Sequence, residues 1–503
     1  MTALTPDPLH SRATTSADAA VIDIGSNSVR MVLYRLEGRA VWTVFNEKVL
    51  AGLGRDLPNT GRLSEEGVLM ALPALRRFAA VIEGVRPEHV FVAATAAVRD
   101  AEDGLEFCER VAAETGMHIR VLSGEEEARE AARGVLAGHP AAEGVAADMG
   151  GASLELIRLK GGEVGQGITL PLGPFALADG GDFDAKKLRT KIDKRLKGKT
   201  ADFKAPILHA VGGAWRSIAQ LHMAMSDYPL QIVHQYAMTA DDAREVARFV
   251  SRQSRASLDR TPGVSRRRAE TLPYAALVLE ALIERLELKT IEFSAWGLRE
   301  GLLQDALSDE HRDSDPLIAG CAAWGARQGI SPLLPGALQA WLEPVLPALP
   351  ESFGKARDHA LTTAACHLCD LGARLHPDHR VELVFDQVLR APVPGQTHAE
   401  RAFLACALNA RYGGPSATPQ PEVIDRLLDE GARRHAKALG QAIRLACDLS
   451  GRAPQLLAGA RLSLEDKTLI LTAADGYADM LLGEQTRRRL KNLADTLDLE
   501  CGD

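Results

Sequence analysis

No stretch of the chain approaches the roughly 20 uninterrupted apolar residues that a membrane-spanning helix requires. The opening segment, MTALTPDPLHSRATTSADA, also lacks the apolar run of a signal peptide. It reads as a loose polar tail over residues 1–19, so a cytoplasmic protein without membrane association is expected. Cysteine is sparse: the seven at 108, 321, 366, 369, 406, 447 and 501 are scattered through apolar helical stretches, which excludes a disulfide-dense secreted domain. Cys366 and Cys369 do form a CxxC around His367, but no second pair completes a zinc pattern, and packing inside helices is the expectation. Net positive charge is lacking as well. At −8, the chain is no whole-protein trap for nucleic acid or another polyanion, and any polyanion must be met by local basic groups. One basic segment, from Lys186 to Lys199, reads equally well as a polyanion track and as a solvated helix face.

What is present is length and an internal repeat. A chain of 503 residues exceeds what one hydrophobic core supports, so several domains are expected. AAVIDIGSNSVRMVLYRLEG reads as strand, tight turn and strand, followed by a third strand. From Leu63 the spacing turns helical behind Ser64 as N-cap, then come strands near 89–95 and 119–122 and helices near 101–115 and 125–137. About 125 residues after the first turn, AADMGGASLELIRLKGGEV repeats its register, with Asp148 matching Asp23, Gly150 matching Gly25 and Ser153 matching Ser28. Two related α/β domains facing each other across a cleft follow, over 20–138 and 139–308. A third element, HAVGGAWRSIAQLHMA, predicts a strand, a turn at Gly212 and Gly213, and a helix. Beyond about 309 the composition becomes helical with Pro-rich joints, predicting a separate C-terminal domain over 309–503 with a small hairpin near 455–475.

The turns suggest phosphate chemistry. Backbone amides of Gly25, Ser26, Asn27 and Ser28 on one side, and of Gly150, Gly151, Ala152 and Ser153 on the other, can approach phosphate oxygens that bulkier turns would exclude. Asp148 ends one strand and Glu155 lies in the next, so the reversal brings both carboxylates to one site, where they suit a divalent cation. A water nucleophile needs an acceptor on a rigid element, and Glu125, Glu126 and Glu127 at a helix start are candidates. Spacing does not choose among the three, and acidic first turns are also favoured by the helix dipole alone. Arg99 follows a strand and suits either a phosphate clamp or a surface salt bridge.

Taken in order, VIDIGSNSVRMVLY, AATAAVRDA, LSGEEEAREAARGV, ADMGGASLEL, AVGGAWRSIA and SAWGLREGLL resemble the exopolyphosphatase and guanosine pentaphosphate phosphohydrolase family (Ppx/GppA), over about residues 20–305. The resemblance implies two actin-like domains (the acetate/sugar kinase, Hsp70 and actin architecture, ribonuclease H-like) and a mostly helical, HD-like C-terminal domain. It implies hydrolysis of terminal phosphates from inorganic polyphosphate or conversion of pppGpp to ppGpp, with magnesium or another divalent cation and a homodimer. By the same resemblance Glu127 is the catalytic acid, Arg99 a catalytic partner, and Asp23, Asp148 and Glu155 the metal carboxylates. Gly212, Gly213 and Arg268 join the two turns as phosphate contacts. Two departures stand out. Ala152 replaces the third glycine of the second turn, and His367-Leu-Cys-Asp370 lacks the adjacent His-Asp pair of an active HD phosphohydrolase, leaving that domain a structural, dimerising or polyphosphate-guiding role. A kinase on the same architecture and a non-catalytic sensor of pppGpp or polyphosphate are the rival functions.

Overall fold

The structure, a computed structural model, describes residues 16–178, 183–264, 268–329 and 331–502. Two compact units are present, one of Ser16–Leu36 with Val41–Asp313, the other of Ser314 onward together with Glu37–Ala40. Of the expected tail, residues 1–15 lie outside the described residues. Residues 16–19 correct that expectation, since they open the first strand, whose following residues are apolar on both faces.

The first unit contains two sheets. Strands β1 (Ser16–Ile24), β2 (Val29–Glu37), β3 (Ala40–Val49), β4 (His89–Ala94) and β5 (Arg120–Val121) lie in the order β3-β2-β1-β4-β5. Strands β6 (Gly144–Met149), β7 (Leu154–Lys160), β8 (Glu163–Leu170), β9 (Ile207–Val211), β10 (Tyr236–Thr239) and β11 (Thr290–Phe293) lie in the order β8-β7-β6-β9-β11-β10. Both sheets therefore place their third, second, first and fourth strands side by side, with the first running parallel to the fourth. The sequence repeat is a repeat of topology, as the actin-like, ribonuclease H-like architecture requires.

Period-two alternation explains how each sheet is covered on both faces. In β1, Ala20, Ile22 and Ile24 enter one core with Val29, Met31 and Leu33, while Ala19 and Val21 enter another with Val32, Tyr34 and Leu36. In β6, Val145, Ala147 and Met149 face a large core, while Ala146 faces a smaller one with Ile157, Leu159 and Val211. The helix Gly124–Gly138 roofs that smaller core through Ala128, Ala132 and Val135.

Packing redraws the boundary expected at 138/139. The helix Gly124–Gly138 precedes the second sheet in sequence yet packs on β6, β7 and β8, whereas Leu302, Leu303 and Leu307 return to the β1 core. The two sheets are thus joined by exchanged elements rather than by one linker. The strands expected near 89–95 and 119–122 form as β4 and the two-residue β5, and the strand expected before Gly212 forms as β9. The basic segment forms the helix Ala185–Leu196, burying Leu188, Ile192 and Leu196 against the large core.

The second unit is mostly helical. Its helix His398–Arg411 is buried along almost its whole length, and Glu430–Leu449 packs against it, with Gly440 close to the Ala407 carbonyl and His435 edge-on to Phe403. The predicted hairpin forms as β12 (Ala460–Glu465) and β13 (Thr468–Ala473), with β14 (Glu500–Cys501) added at its edge. Cys366, Cys369 and Cys447 are free and buried. Asp370 faces Arg452 at 3.5 Å and Arg411 at 4.0 Å, so its charge is met by guanidinium groups. Among the described residues, no helix is long and apolar enough to cross a membrane.

Candidate active site

The two glycine turns share a hydrogen-bond pattern as well as a sequence pattern. Gly25 N donates to Ser28 O and Gly150 N donates to Ser153 O, each at 3.0 Å. Around the first turn, Gly52 N and Gly54 N donate to Asn27 O and Ser26 O; around the second, Gly173 N and Phe175 N donate to Ala152 O and Gly151 O. Each turn is thus tied by two backbone hydrogen bonds to a loop that follows it in the chain. The turns also meet: a Cβ added to Gly151 would stand 3.1 Å from Ser26 Cβ.

They line one cleft of about 440 Å³, which contains Asp23, Gly25, Ser26, Asn27, Ser28, Glu127, Asp148, Gly150, Gly151, Ser153, Gly212, Gly213 and Arg268. Most of the residues singled out from sequence therefore come together. Ala152 does not line the cleft; it contributes its carbonyl to the supporting loop, so its methyl group does not sit among the cleft-lining atoms. Gly212 has φ of 105° and a Cβ there would lie 2.5 Å from Met149 O, so this turn requires glycine. Gly213 starts the helix Gly213–Met225, and Arg268 packs directly over it, its Nη2 standing 2.0 Å from where a Cβ would be.

The carboxylates converge for reasons visible in the register. Asp148 and Glu155 are directly opposite each other on antiparallel β6 and β7, so their side chains project from the same face. That face is the one roofed by the helix carrying Glu127. Glu155 is buried, and its Oε1 has no hydrogen-bond partner. Burial and the negative charges of Glu127 and Asp148 push its carboxyl well above the ordinary range. Asp148 is pushed to about 7 by burial and by Glu127 and Asp23. An orphaned carboxylate oxygen beside a second carboxylate, with neither in an ion pair among the described residues, fits a hard divalent ion.

The first turn of Gly124–Gly138 sorts its three glutamates by direction. Glu126 closes a capping box with Ser123 and bonds Arg120 at 2.7 Å, which together hold it at about 2. Glu125 points to solvent near Arg129 at 3.6 Å. Glu127 alone turns inward, 7% exposed, with burial raising its carboxyl against the opposing pull of Arg99. Arg99 Nη1 donates to Glu127 Oε2 at 2.9 Å and to Leu122 O at 3.0 Å, and Nε donates to Asp100 Oδ1 at 3.1 Å. Of the two readings open for Arg99, phosphate clamp or salt bridge, the structure shows the ion pairs: Arg99 is not among the cleft-lining residues, and its guanidinium is bonded to Glu127, Asp100 and the Leu122 carbonyl.

Asp23 differs from its repeat partner Asp148 in having a cation, since Arg299 Nη1 donates to its Oδ2 at 3.1 Å. Burial works against the charge of Arg299, but Glu300, Tyr34 and Asp23 outweigh it and keep the group protonated.

Sequence reading missed much of the basic lining. Arg30, Lys48, Arg216 and Arg299 join Arg268 in the cleft. Among the described residues, Arg30, Lys48, Arg216 and Arg268 have no ion-pair partner, and Arg216 Nε is buried without a hydrogen bond. Arg216 and Arg299 were accessible to inference, since each lies within three residues of a glycine that opens a helix. Lys48, at the far end of β3, carried no such signal. None of the basic residues of the helix Ala185–Leu196 lines the cleft.

Comparison with known proteins identifies the family. The profile of the Ppx/GppA phosphatase family matches residues 21–310, and that described as exopolyphosphatase, C-terminal, matches residues 351–499. Exopolyphosphatase 1 of Mycobacterium tuberculosis is 28% identical over 312 residues, covering 59% of this chain and 90% of the relative. Guanosine-5'-triphosphate,3'-diphosphate pyrophosphatase of Vibrio vulnificus is 26% identical over 321 residues, covering 60% and 62%. Retrograde regulation protein 2 of Saccharomyces cerevisiae is 26% identical over 446 residues, covering 78% and 72%. The crystal structure of the Aquifex aeolicus Ppx/GppA family member superposes with a TM-score of 0.52 at 27% identity, covering 58% of this chain and 98% of that one. With a family profile spanning more than half its length, a duplicated fold and a cleft of paired glycine turns, this chain belongs to the Ppx/GppA phosphatase family.

Proposed function

We propose that the cleft hydrolyses the terminal phosphoanhydride bond of inorganic polyphosphate and releases orthophosphate, with pppGpp as the alternative substrate. The observation that carries this reading is the charge content of one cleft: Arg30, Lys48, Arg216 and Arg268, without ion-pair partners among the described residues, line it together with Glu127, Asp148 and Asp23. Burial and mutual repulsion lower the pKa of Arg30, Arg216 and Arg268, a cost that a bound polyanion relieves.

The terminal phosphate lies between the two turns, held by their amides, and the rest of the substrate runs along the cations. Arg99 holds one oxygen of Glu127, which leaves the other to accept a hydrogen bond from water. The water oxygen bonds to the terminal phosphorus as the bridging P–O bond breaks. Its proton passes to Glu127, and the electron pair of the broken bond leaves on the shortened chain. Gly212, Gly213 and Arg268 contact the departing phosphates. Asp148 and Glu155, with Asp23 nearby, would hold a magnesium-class divalent ion, which when bound supplies charge neutralisation at the phosphate oxygens.

The test measures phosphate release from long polyphosphate, short polyphosphate and pppGpp by the purified protein. Release from polyphosphate without an acceptor is expected; in a parallel assay with ATP, ADP formation that depends on an added acceptor would establish the kinase, and tight binding without turnover the sensor. Glu127→Gln should lower kcat about 10²–10⁴-fold while leaving the fold intact. The homodimer implied by family resemblance is checked on the same preparation by light scattering.

A further inference from the structure

The helix that presents Glu127 at its start presents a second cluster at its end. His139 terminates the helix Gly124–Gly138, and beneath it lie His209 on β9 and Glu292 on β11. His209 and Glu292 are register partners on adjacent parallel strands and project from one sheet face, the face that the helix covers. One ligand atom from each of the three side chains lies within 4.8 Å of the others. His139 Nδ1 is 2.9 Å from Glu292 Oε1, and His209 Nδ1 is 3.4 Å from the same oxygen.

Hydrogen bonding decides which atom of His209 faces the cluster. Its Nε2 lies 3.0 Å from Glu143 O, a carbonyl that can only accept, so Nε2 carries the proton. In the neutral ring Nδ1 is then a lone pair. It is buried, without a hydrogen bond, and aimed at a carboxylate oxygen, itself an acceptor. Two acceptors facing each other in a buried site need a positive centre between them. The backbone carbonyl on Nε2 is also the partner that orients and enriches a metal-binding imidazole.

We propose that His139 Nδ1, His209 Nδ1 and Glu292 Oε1 form a transition-metal site of zinc type, separate from the phosphate cleft. Two imidazoles and one carboxylate suit zinc or cobalt, whereas magnesium prefers oxygen alone. The side chains of His139 and Glu292 are 29% and 19% exposed, which leaves a path for the ion and room for water as a fourth ligand. An occupied site ties the end of the Glu127 helix to the sheet below it. The assignment does not depend on the proposed substrate.

The experiment uses the full chain, stripped with chelator and titrated with zinc, and separately with cobalt, in excess magnesium so that oxygen-only sites are filled. A single tight equivalent by calorimetry is expected, with visible cobalt bands of a low-coordinate nitrogen-oxygen site and a raised melting temperature. Glu292→Gln and His139→Gln should each weaken zinc binding by more than the roughly 10–100-fold that loss of an outer partner costs. Should Glu292→Gln fail to fold, His139→Gln at the solvent edge decides the outcome. Absence of binding, or zinc affinity unchanged in a folded variant, overturns the site; His209 is then a doubly protonated partner of Glu292.

Discussion

In the proposed mechanism Glu127 is the base and Arg99, bonded to it, its positioning residue, and their opposed effects make a signed prediction. Burial raises the Glu127 carboxyl and Arg99 lowers it, with the net shift upward. Because the base must be deprotonated, kcat/KM should fall as pH drops through a pKa above the roughly 4.3 of an exposed glutamate. Removing Arg99 removes the lowering influence. Arg99→Ala is therefore expected to move the acid limb to higher pH and to depress kcat far more than KM, measured as pH profiles of both constants. A role in gripping phosphate would instead raise KM and leave the limb in place. The cations behave differently: Arg216→Ala and Arg268→Ala should raise KM about tenfold or more for polyphosphate with little change in the pH profile, each removing one charge-assisted contact.

At the scale of elements, the position of Glu127 depends on a close crossing of two helices. A Cβ on Gly134 would stand 1.9 Å from Gly297 O, and one on Gly301 would stand 1.9 Å from Glu130 O. The helix Gly124–Gly138 and the helix Leu298–Leu302 with its N-cap Gly297 thus approach backbone to backbone, a glycine of each lying against a carbonyl of the other. Gly134→Ala forces them apart and is expected to destabilise the protein by about 1–3 kcal/mol in denaturant unfolding, with a fall in kcat because the same helix bears Glu127. Gly84→Ala, on the exposed side of the helix Glu65–Val85 with open space around it, is the control. It should be neutral or stabilising by up to about 1 kcal/mol.

For the whole molecule, binding of a polyanion must overcome a net charge of −8 through a few local cations. A ligand held by both turns adds contacts that the unfolded chain lacks, so it stabilises by mass action, about 2.7 kcal/mol at 100 times its Kd. Tripolyphosphate added to the Glu127→Gln variant, which does not consume it, should raise the melting temperature, and high salt should shrink the rise as the cation contacts are screened. A rise that ignores salt would show that the cations lining the cleft are not what hold the ligand.

Much of this was legible in the chain itself. Local alternation and glycine turns repeat visibly, so the two strand-turn-strand units, the third turn at Gly212 and the change to a helical C-terminal part could be read directly. Family resemblance then selected Glu127 where spacing left three glutamates open, although the capping pair Ser123 and Glu126 already held a reason to set Glu126 aside. The helix exchange between the sheets could not be read, because packing of Gly124–Gly138 on β6 to β8 depends on contacts with strands that come later. Nor could the direction of Arg99, the convergence of Arg30, Lys48, Arg216 and Arg299, or the meeting of His139, His209 and Glu292. The sequence by itself determined the repeated elements, since hydrophobic period and turn chemistry are local. Only the tertiary structure decided which charges share a space, since that follows from the distance between residues far apart in the chain.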